Sequence, residues 1–529
     1  MYWVGLALLW FGAAGLYPLM DPDEGRYAEI PREMAASGDW ITPRLDGLKY
    51  FEKPPLQYWA TAALYKGFGV NEWTARGWTL ALAFLCLPLT FAWVRRFYGQ
   101  PAGWAAMAVL AASPFFVILG HLNLLDAAFT FWLTAAIFAF TRAQLAQPGS
   151  SDERNNMLCA WLAAALAVLS KGMVAPVLAG FALLAYSIVQ HDWRTWRRLH
   201  IVLGLPLFLL VATPWFVVVS LRNAEFPEFF FLHEHFARFL TNVSQHVEPW
   251  WFFAPVLALG LLPWLTELPG AIRRAWSARE PAREFQPLRF LLIYAGATLL
   301  FFSVSHSKLA PYILPMLPPL AVVLGVHIAE RPRSLRRGAW IAAVTIAIVA
   351  GGLVVYTLRR YDAAPVPLVM WTFVAVMLAF IAALNVKVRH SQARNIAWLA
   401  VGSVLAWQCL MTAHGTPPLA RSARALVAAV QPAIREQTAL FNVGQYRQTI
   451  PPYLGRTLTL VGYTGELEFG MRQEPERNVA SLPEFEQQWR ASLDAVAFFD
   501  RTMWRSLAAT GLPGRVLAED RYTVAVSRR

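Results

Sequence analysis

Thirteen apolar blocks recur along the chain, at about 2–20, 77–94, 102–120, 127–141, 157–169, 173–189, 201–220, 251–271, 290–304, 311–329, 339–357, 367–386 and 395–412. Most approach the roughly 20 residues that a helix needs to cross about 30 Å of hydrocarbon. Inside a bilayer the backbone must satisfy its own hydrogen bonds, so each block is expected to be a helix that crosses once. Composition agrees: 57% of the 529 residues are hydrophobic and only 15% are charged, against about 25% charged in soluble domains. The expected fold class is an α-helical polytopic membrane protein with about 13 transmembrane helices. The first block, YWVGLALLWFGAAGLYPLM, shows no basic leader or small-residue cleavage site, and reads as a retained span.

Charge gives the chain its sides. Arg95 and Arg96, then DWRTWRRLH (192–200), IRRAWSAREPAREFQPLR (272–289), ERPRSLRRG (330–338) and KVRHSQAR (387–394) fall in alternate loops. Short loops this dense in Arg and Lys mark the cytoplasmic side. They also account for much of the net charge of +13, so the basic balance speaks for topology and no nucleic-acid partner is expected. The N-terminus is then cytoplasmic, and an odd span count leaves residues 413–529 outside, in a Gram-negative periplasm. The expected domains are 1–412, a transmembrane domain with its first periplasmic loop at 21–76, and 413–529. Short β-like runs in the tail (ALFNVG, TLTLVGYTG, AVAFFD, YTVAVS), with a helix near 483–495, predict a small C-terminal α/β domain. Cys86, Cys159 and Cys409 lie inside apolar segments and form no metal or disulfide pattern; each reads as a small membrane-buried hydrophobe. No nucleotide-binding P-loop occurs, and no nucleotide cofactor is expected.

The same parity puts most of the remaining charge on the outer face. MDPDEGRYAEIPREM (20–34) and YFEKPPLQYW (50–59) share the first outer loop. HLNLLDAAFT contributes Asp126, LSKGM contributes Lys171, and SVSHSKLAPYILP contributes Lys308 and Tyr312. Ionised groups kept at a bilayer edge point to a functional site. Local explanations exist for each. Asp21-Pro22-Asp23-Glu24 reads as a helix start, with Asp21 as N-cap, Pro22 at N1 and Glu24 at N3. Arg26 can pair with Glu29 or Glu33 on a helix surface, worth about 0.3–0.5 kcal/mol. Lys171 and Lys308 can snorkel to headgroups. One cap does not need three carboxylates, however, and none of these explains why both signs gather on one face. Asp23 and Glu24 are therefore candidate catalytic groups.

The loop 221–250 holds His233-Glu234-His235. In a helix, residues two apart point to different sides and cannot easily share an ion; in a strand they can. His246 and His306 read as polar loop residues. The preceding EFPEFFF (225–231) reads as an interfacial helix or as ordinary packing.

Lysines, arginines and tyrosines at the outer face suit an anionic amphiphile, with its tail among the spans and its phosphate among the charges. Lys53, Lys171 and Lys308 can stabilise charge on a departing phosphate, while a carboxylate abstracts an acceptor proton or orients the acceptor. With no ATP outside the membrane, the donor must carry its own leaving group. A transporter reading predicts charges in mid-span along a route across the bilayer; here they cluster at one face.

The block DPDEGRYAEIPREMAASGDWITPRLDGLKYFEKPPLQYW resembles the first periplasmic loop of bacterial aminoarabinose transferases, which modify lipid A and belong to the protein-mannosyltransferase-like group of GT-C glycosyltransferases. LLDAAFT, LSKG, EHFARF and SKLAPYILP are shorter supporting matches. The resemblance implies that Asp23 is the first-loop acidic residue and Asp126 its second-loop counterpart. It implies that Arg26, Tyr27 and Lys53 approach the donor phosphate, with Lys171 and Tyr312 completing the site. It also implies a divalent metal such as zinc, structural rather than catalytic, on Glu52 with His235 or His233. The implied partners are an undecaprenyl-phosphate-linked sugar donor and lipid A, or another lipid or glycan acceptor, with transfer inverting the anomeric carbon. A lipid A phosphate needs no general base, whereas a hydroxyl acceptor would make Asp23 the base. Nothing in the chain selects aminoarabinose over another sugar.

Overall fold

Apolar runs that must satisfy their own backbone polar groups fold as helices throughout the first of two units. The computed structural model describes residues 2–237, 248–277, 284–330, 335–361, 365–387, 391–417, 419–463 and 465–529. By compactness they divide into Met1–Ala14 with Trp78–Thr416, and Gly15–Gly77 with Pro417–Arg529. The expected boundary at 412–413 falls close to this division, but the first loop clusters with the tail and not with the spans.

Among the described residues, seven helices are long and apolar enough to span: Glu72–Tyr98, Ile201–Arg222, Pro287–Val304, Ala310–Glu330, Leu335–Tyr361, Val366–Asn385 and Gln392–His414. Two bent pairs raise this to nine, Gln100–Ala112 with Pro114–His121 (62°) and Phe253–Gly260 with Leu265–Ser277 (108°). The first pair breaks at Ser113, just before Pro114, which cannot continue the hydrogen-bond ladder. Leu125–Leu145, Ser151–Lys171 and Val174–Gln190 are further helices. The first block is shorter than expected: only Tyr2–Phe11 is helical, 10 residues, or about half of the hydrocarbon thickness.

Small residues bring these helices together. A Cβ on Gly325 would lie 2.4 Å from the Ala106 backbone, so only glycine permits this crossing. Buried polar groups also join them: Gln408 Nε2 donates to Leu9 O at 2.9 Å, and His121 Nε2 lies 2.8 Å from Trp10 O. Cys86 and Cys409 are buried as expected, whereas Cys159 lies on the outside of the unit.

The second unit is built on a six-stranded mixed sheet. Beyond the short hairpin β1 (Arg44–Leu45) and β2 (Leu48–Lys49), the strands are β3 (Ala439–Val443), β4 (Thr459–Val461), β5 (Asn478–Val479), β6 (Ala495–Asp500), β7 (Arg515–Glu519) and β8 (Thr523–Ser527). The order is β5-β4-β3-β6-β8-β7, parallel from β5 to β6 and antiparallel at β8 and β7. Alternation along β6 feeds two cores. Ala495, Ala497 and Phe499 face Phe485, Trp489 and Trp504, while Val496 and Phe498 face Leu426, Val427 and Ile450. The expected helix near 483–495 is Leu482–Ala491. This C-terminal mixed α/β domain and the helical membrane unit bear out the expected fold class.

The first loop packs into the same unit through its Asp23–Ser37 helix. Here the expected cap is corrected. The helix begins at Asp23 with Pro22 in the cap position and no side-chain cap. Asp21 turns away to Arg447, 3.1 Å from its guanidinium, and accepts from Thr449 N at 2.8 Å. A buried ion pair with a backbone hydrogen bond binds Asp21 more firmly than one helix N–H would. Gly25 allows the helix to press on the tail: a Cβ there would lie 2.5 Å from the Gln448 backbone.

Candidate active site

Each unit assembles a charged group from the residues that the sequence singles out. In the second unit, the first turns of the Asp23–Ser37 helix set Asp23 and Arg26 three residues apart, so Arg26 Nη1 meets Asp23 Oδ1 at 2.9 Å. The expected partners Glu29 and Glu33 are engaged elsewhere: Glu29 accepts two bonds from Arg32, and Glu33 accepts from Gly47 N at 2.9 Å. The other terminal nitrogen of Arg26 is paired with Glu466, whose carboxylate also accepts from Gln448 Nε2 at 2.5 Å. Arg26 lies 5.7 Å from the centroid of the Tyr27 ring, which stacks on Tyr58 at 6.3 Å.

Burial pushes the Tyr27, Tyr50 and Tyr58 hydroxyls up, so they are neutral donors at physiological pH. Burial alone would lower Arg26, but the Glu466 and Asp23 carboxylates beside it hold it well above its ordinary value, fixed in the cationic form. Among the described residues, the Tyr50 and Tyr58 hydroxyls and Arg26 Nε are buried without a hydrogen-bond partner. A cationic guanidinium beside neutral hydroxyl donors is suited to an anion with several acceptor oxygens. Lys53 stands next in the chain beyond Glu52, donating to its carbonyl at 3.0 Å.

Glu24, grouped with Asp23 as a catalytic candidate, has another task. It is buried, and its two oxygens accept from Arg76 at 2.7 and 2.8 Å, while Met20 N donates to one of them at 3.2 Å. Arg76 also donates to Tyr17 O and Pro18 O at 2.9 Å and lies over the Tyr17 ring. The pair ties the ends of the first loop together, a structural task that engages both oxygens of Glu24.

In the membrane unit, Asp126 begins the Leu125–Leu145 helix and Lys171 ends Ser151–Lys171, and the two side chains form a hydrogen-bonded ion pair. Lys171 Nζ is 4.9 Å from the centroid of the Tyr312 ring and 5.7 Å from that of Phe129. These residues come from three separate segments, as expected. Lys308 does not join them; its buried Nζ donates to Ser305 O at 2.6 Å and so closes its own loop.

Of the residues implied for a metal, the side chains of Glu52 and His233 lie within the described residues. Among the described residues, no group of three or more His, Cys, Asp or Glu could hold an ion. The Glu52 carboxylate lies 3.8 Å from the Lys53 ammonium, a cation that competes with a metal. His233 stacks on Phe229 at 5.3 Å in the helical segment Glu228–Ala237, where residues two apart diverge. The His235 side chain and His246 lie outside the described residues. Part of the aromatic run is packed inward: Phe226 and Phe230 are buried and stack at 5.2 Å, with Trp215 5.4 Å from Phe226.

The whole chain superimposes on the crystal structure of ArnT from Cupriavidus metallidurans bound to undecaprenyl phosphate, with a TM-score of 0.89 and 32% identity over 100% of this chain and 97% of that one. The chain belongs to the aminoarabinose transferase family. The family described as aminoarabinose transferase C-terminal domain matches residues 426–528, and that of dolichyl-phosphate-mannose-protein mannosyltransferase matches residues 3–230. The undecaprenyl phosphate-α-4-amino-4-deoxy-L-arabinose arabinosyl transferase of Pseudomonas aeruginosa is 37% identical over 62% of this chain. That of Sodalis glossinidius is 37% identical over 63%. Each of these two matches spans 60% of the relative's own length. An archaeal oligosaccharyltransferase from Archaeoglobus fulgidus, 12% identical with a TM-score of 0.50 over 95% of this chain and 70% of that one, shares the fold. Around Arg26 the structure adds residues that the sequence alone did not single out: Tyr50, Gln448 and Glu466. Tyr50 lies three residues before Lys53 in the first loop. Glu466 and Gln448 carried no signal, since they sit in the tail more than 400 residues beyond Arg26.

Proposed function

We propose that the chain transfers 4-amino-4-deoxy-L-arabinose from undecaprenyl phosphate to lipid A at the periplasmic face of the inner membrane. The observation that carries this reading is the similarity along the whole chain to a transferase bound to undecaprenyl phosphate. In the reaction the bond between the anomeric carbon and the donor phosphate oxygen breaks, and a bond to the acceptor oxygen forms. The phosphate leaves with the bonding electrons, so its charge must be stabilised as it grows. Arg26, Tyr50 and Lys53 are assigned to that phosphate. Asp23, its side chain half exposed beside Arg26, orients the acceptor or stabilises charge on the sugar. The Asp126–Lys171 pair with Tyr312 is assigned separately to the lipid-borne head group. A lipid A phosphate is already a nucleophile at neutral pH, so no general base is needed.

Purified protein supplied with undecaprenyl-phosphate aminoarabinose and lipid A in detergent should yield lipid A heavier by one aminoarabinose. Transfer of a hexose or hexosamine in place of aminoarabinose would overturn the sugar assignment. Absence of any product in detergent would overturn the transferase reading itself.

A further inference from the structure

Arg26 has no open edge in this structure. Nη1 is bonded to Asp23 at 2.9 Å, Nη2 is paired with Glu466, and Nε is buried without a partner. A phosphate can take two guanidinium nitrogens only if one of these carboxylates lets go. The two differ in kind. Asp23 sits on the same helix with its side chain 50% exposed, whereas that of Glu466 is 16% exposed and is held from behind by Gln448. Glu466 belongs to no regular element; it lies between β4 and the Glu468–Gln473 helix, so moving it breaks no sheet ladder.

We propose that Glu466, supplied by the C-terminal domain, occupies the place of the donor phosphate on Arg26 and is displaced when the lipid-linked phosphate binds. The inference rests on the reading of Arg26 as a phosphate residue. A sugar phosphodiester carries one negative charge, so the exchange leaves the charge balance at Arg26 unchanged. Glu466 therefore keeps the buried guanidinium neutralised between turnovers, when an unpaired buried charge would be costly. The same exchange in reverse aids product release, because Glu466 competes with the polyprenyl phosphate left after transfer. Burial already raises the Glu466 carboxyl above its usual range, with Arg26 opposing, so its charged form is held at a cost that displacement relieves.

The test measures the affinity of undecaprenyl phosphate itself for the full-length protein in detergent. Glu466→Gln removes the competing charge at nearly constant shape and should bind about tenfold tighter than wild type. Gln448→Leu, which loosens the hold on Glu466, should tighten binding by a smaller factor. In an Arg26→Ala background, where binding itself is weakened, Glu466→Gln should have no further effect. Wild-type or weaker binding by Glu466→Gln, with Arg26→Ala still impaired, would overturn the displacement proposal and leave the reading of Arg26 standing. Unimpaired binding by Arg26→Ala, or none by wild type, would remove that reading and the proposal with it.

Discussion

Two ion pairs, the partly buried Asp126–Lys171 and the buried Glu24–Arg76, are expected to behave differently. Lys171 is paired with Asp126 beneath Tyr312, at the ends of two membrane helices. If the pair serves the transfer, Lys171→Met and Asp126→Asn should each reduce transfer by about a hundredfold or more, as loss of a charge-stabilising donor does. The double variant tests the packing explanation. Replacing a whole buried pair by neutral groups is often tolerated, so recovered activity in Asp126→Asn/Lys171→Met would show that the pair only holds the helices. Glu24–Arg76 is expected to be the structural pair. Glu24→Gln and Arg76→Met should each destabilise the fold by about 3–5 kcal/mol, because each leaves a buried charge unpaired. Their double variant should cost less than the sum, measured by thermal unfolding; additive losses would mean that the two residues act independently. Residues such as Lys171 and Asp126 were legible in the sequence because charge is rare in apolar surroundings. The role of Glu24 was not, since its partner Arg76 lies 52 positions on, at the start of a spanning helix.

At the scale of elements, the Asp23–Ser37 helix meets the hairpin after it through Glu33, which accepts from Gly47 N. Glu33 is pushed well above the carboxylate range by burial and then by Glu29, although its hydrogen bond from Gly47 N opposes this. Asp46 in the hairpin turn is raised in the same way by burial, against a bond from Leu458 N. The sign of the linkage follows. Below the ordinary carboxyl range, folded and unfolded chains both keep the proton, and the contribution is whole. As pH rises the unfolded chain loses its proton first, so stability falls until Glu33 itself ionises. Glu33→Gln is therefore expected to raise the apparent Tm at pH 7–8 and to match wild type near pH 4 (an uncharged side chain in both cases). A gain that persisted unchanged at pH 4 would place the effect in packing and not in charge. Elements were legible where pattern was strong: β3, β4, β6 and β8 follow the alternating runs read from the tail. Two were not. β5 has two residues, and β7, Arg515–Glu519, mixes charge with apolar residues at a sheet edge.

For the whole molecule, the distribution of arginine makes a statement about sides that geometry alone does not. The expected thirteen blocks and the seven to nine qualifying helices differ because length and apolarity are interrupted by bends and polar ends. The Arg-rich loops predict the cytoplasmic side without that count, whereas the side of the tail follows from its parity and is open to a direct test. The second unit offers exposed positions on both of its sequence segments, Ser37 and Gln487, and the Arg-rich segments offer Arg197 and Arg336. In a variant freed of Cys86, Cys159 and Cys409, single cysteines at Ser37 and Gln487 should react with a membrane-impermeant maleimide in intact cells. Cysteines at Arg197 and Arg336 should react only after the inner membrane is opened. Labelling of Ser37 and Gln487 from opposite sides would contradict the second unit as a single compact body and remove Glu466 from Arg26. Labelling of both from the cytoplasm would leave the unit intact but reverse the chain. The transfer would then have to occur where nucleotide-activated donors are already present, and the case for a lipid-linked donor would lose its physical reason.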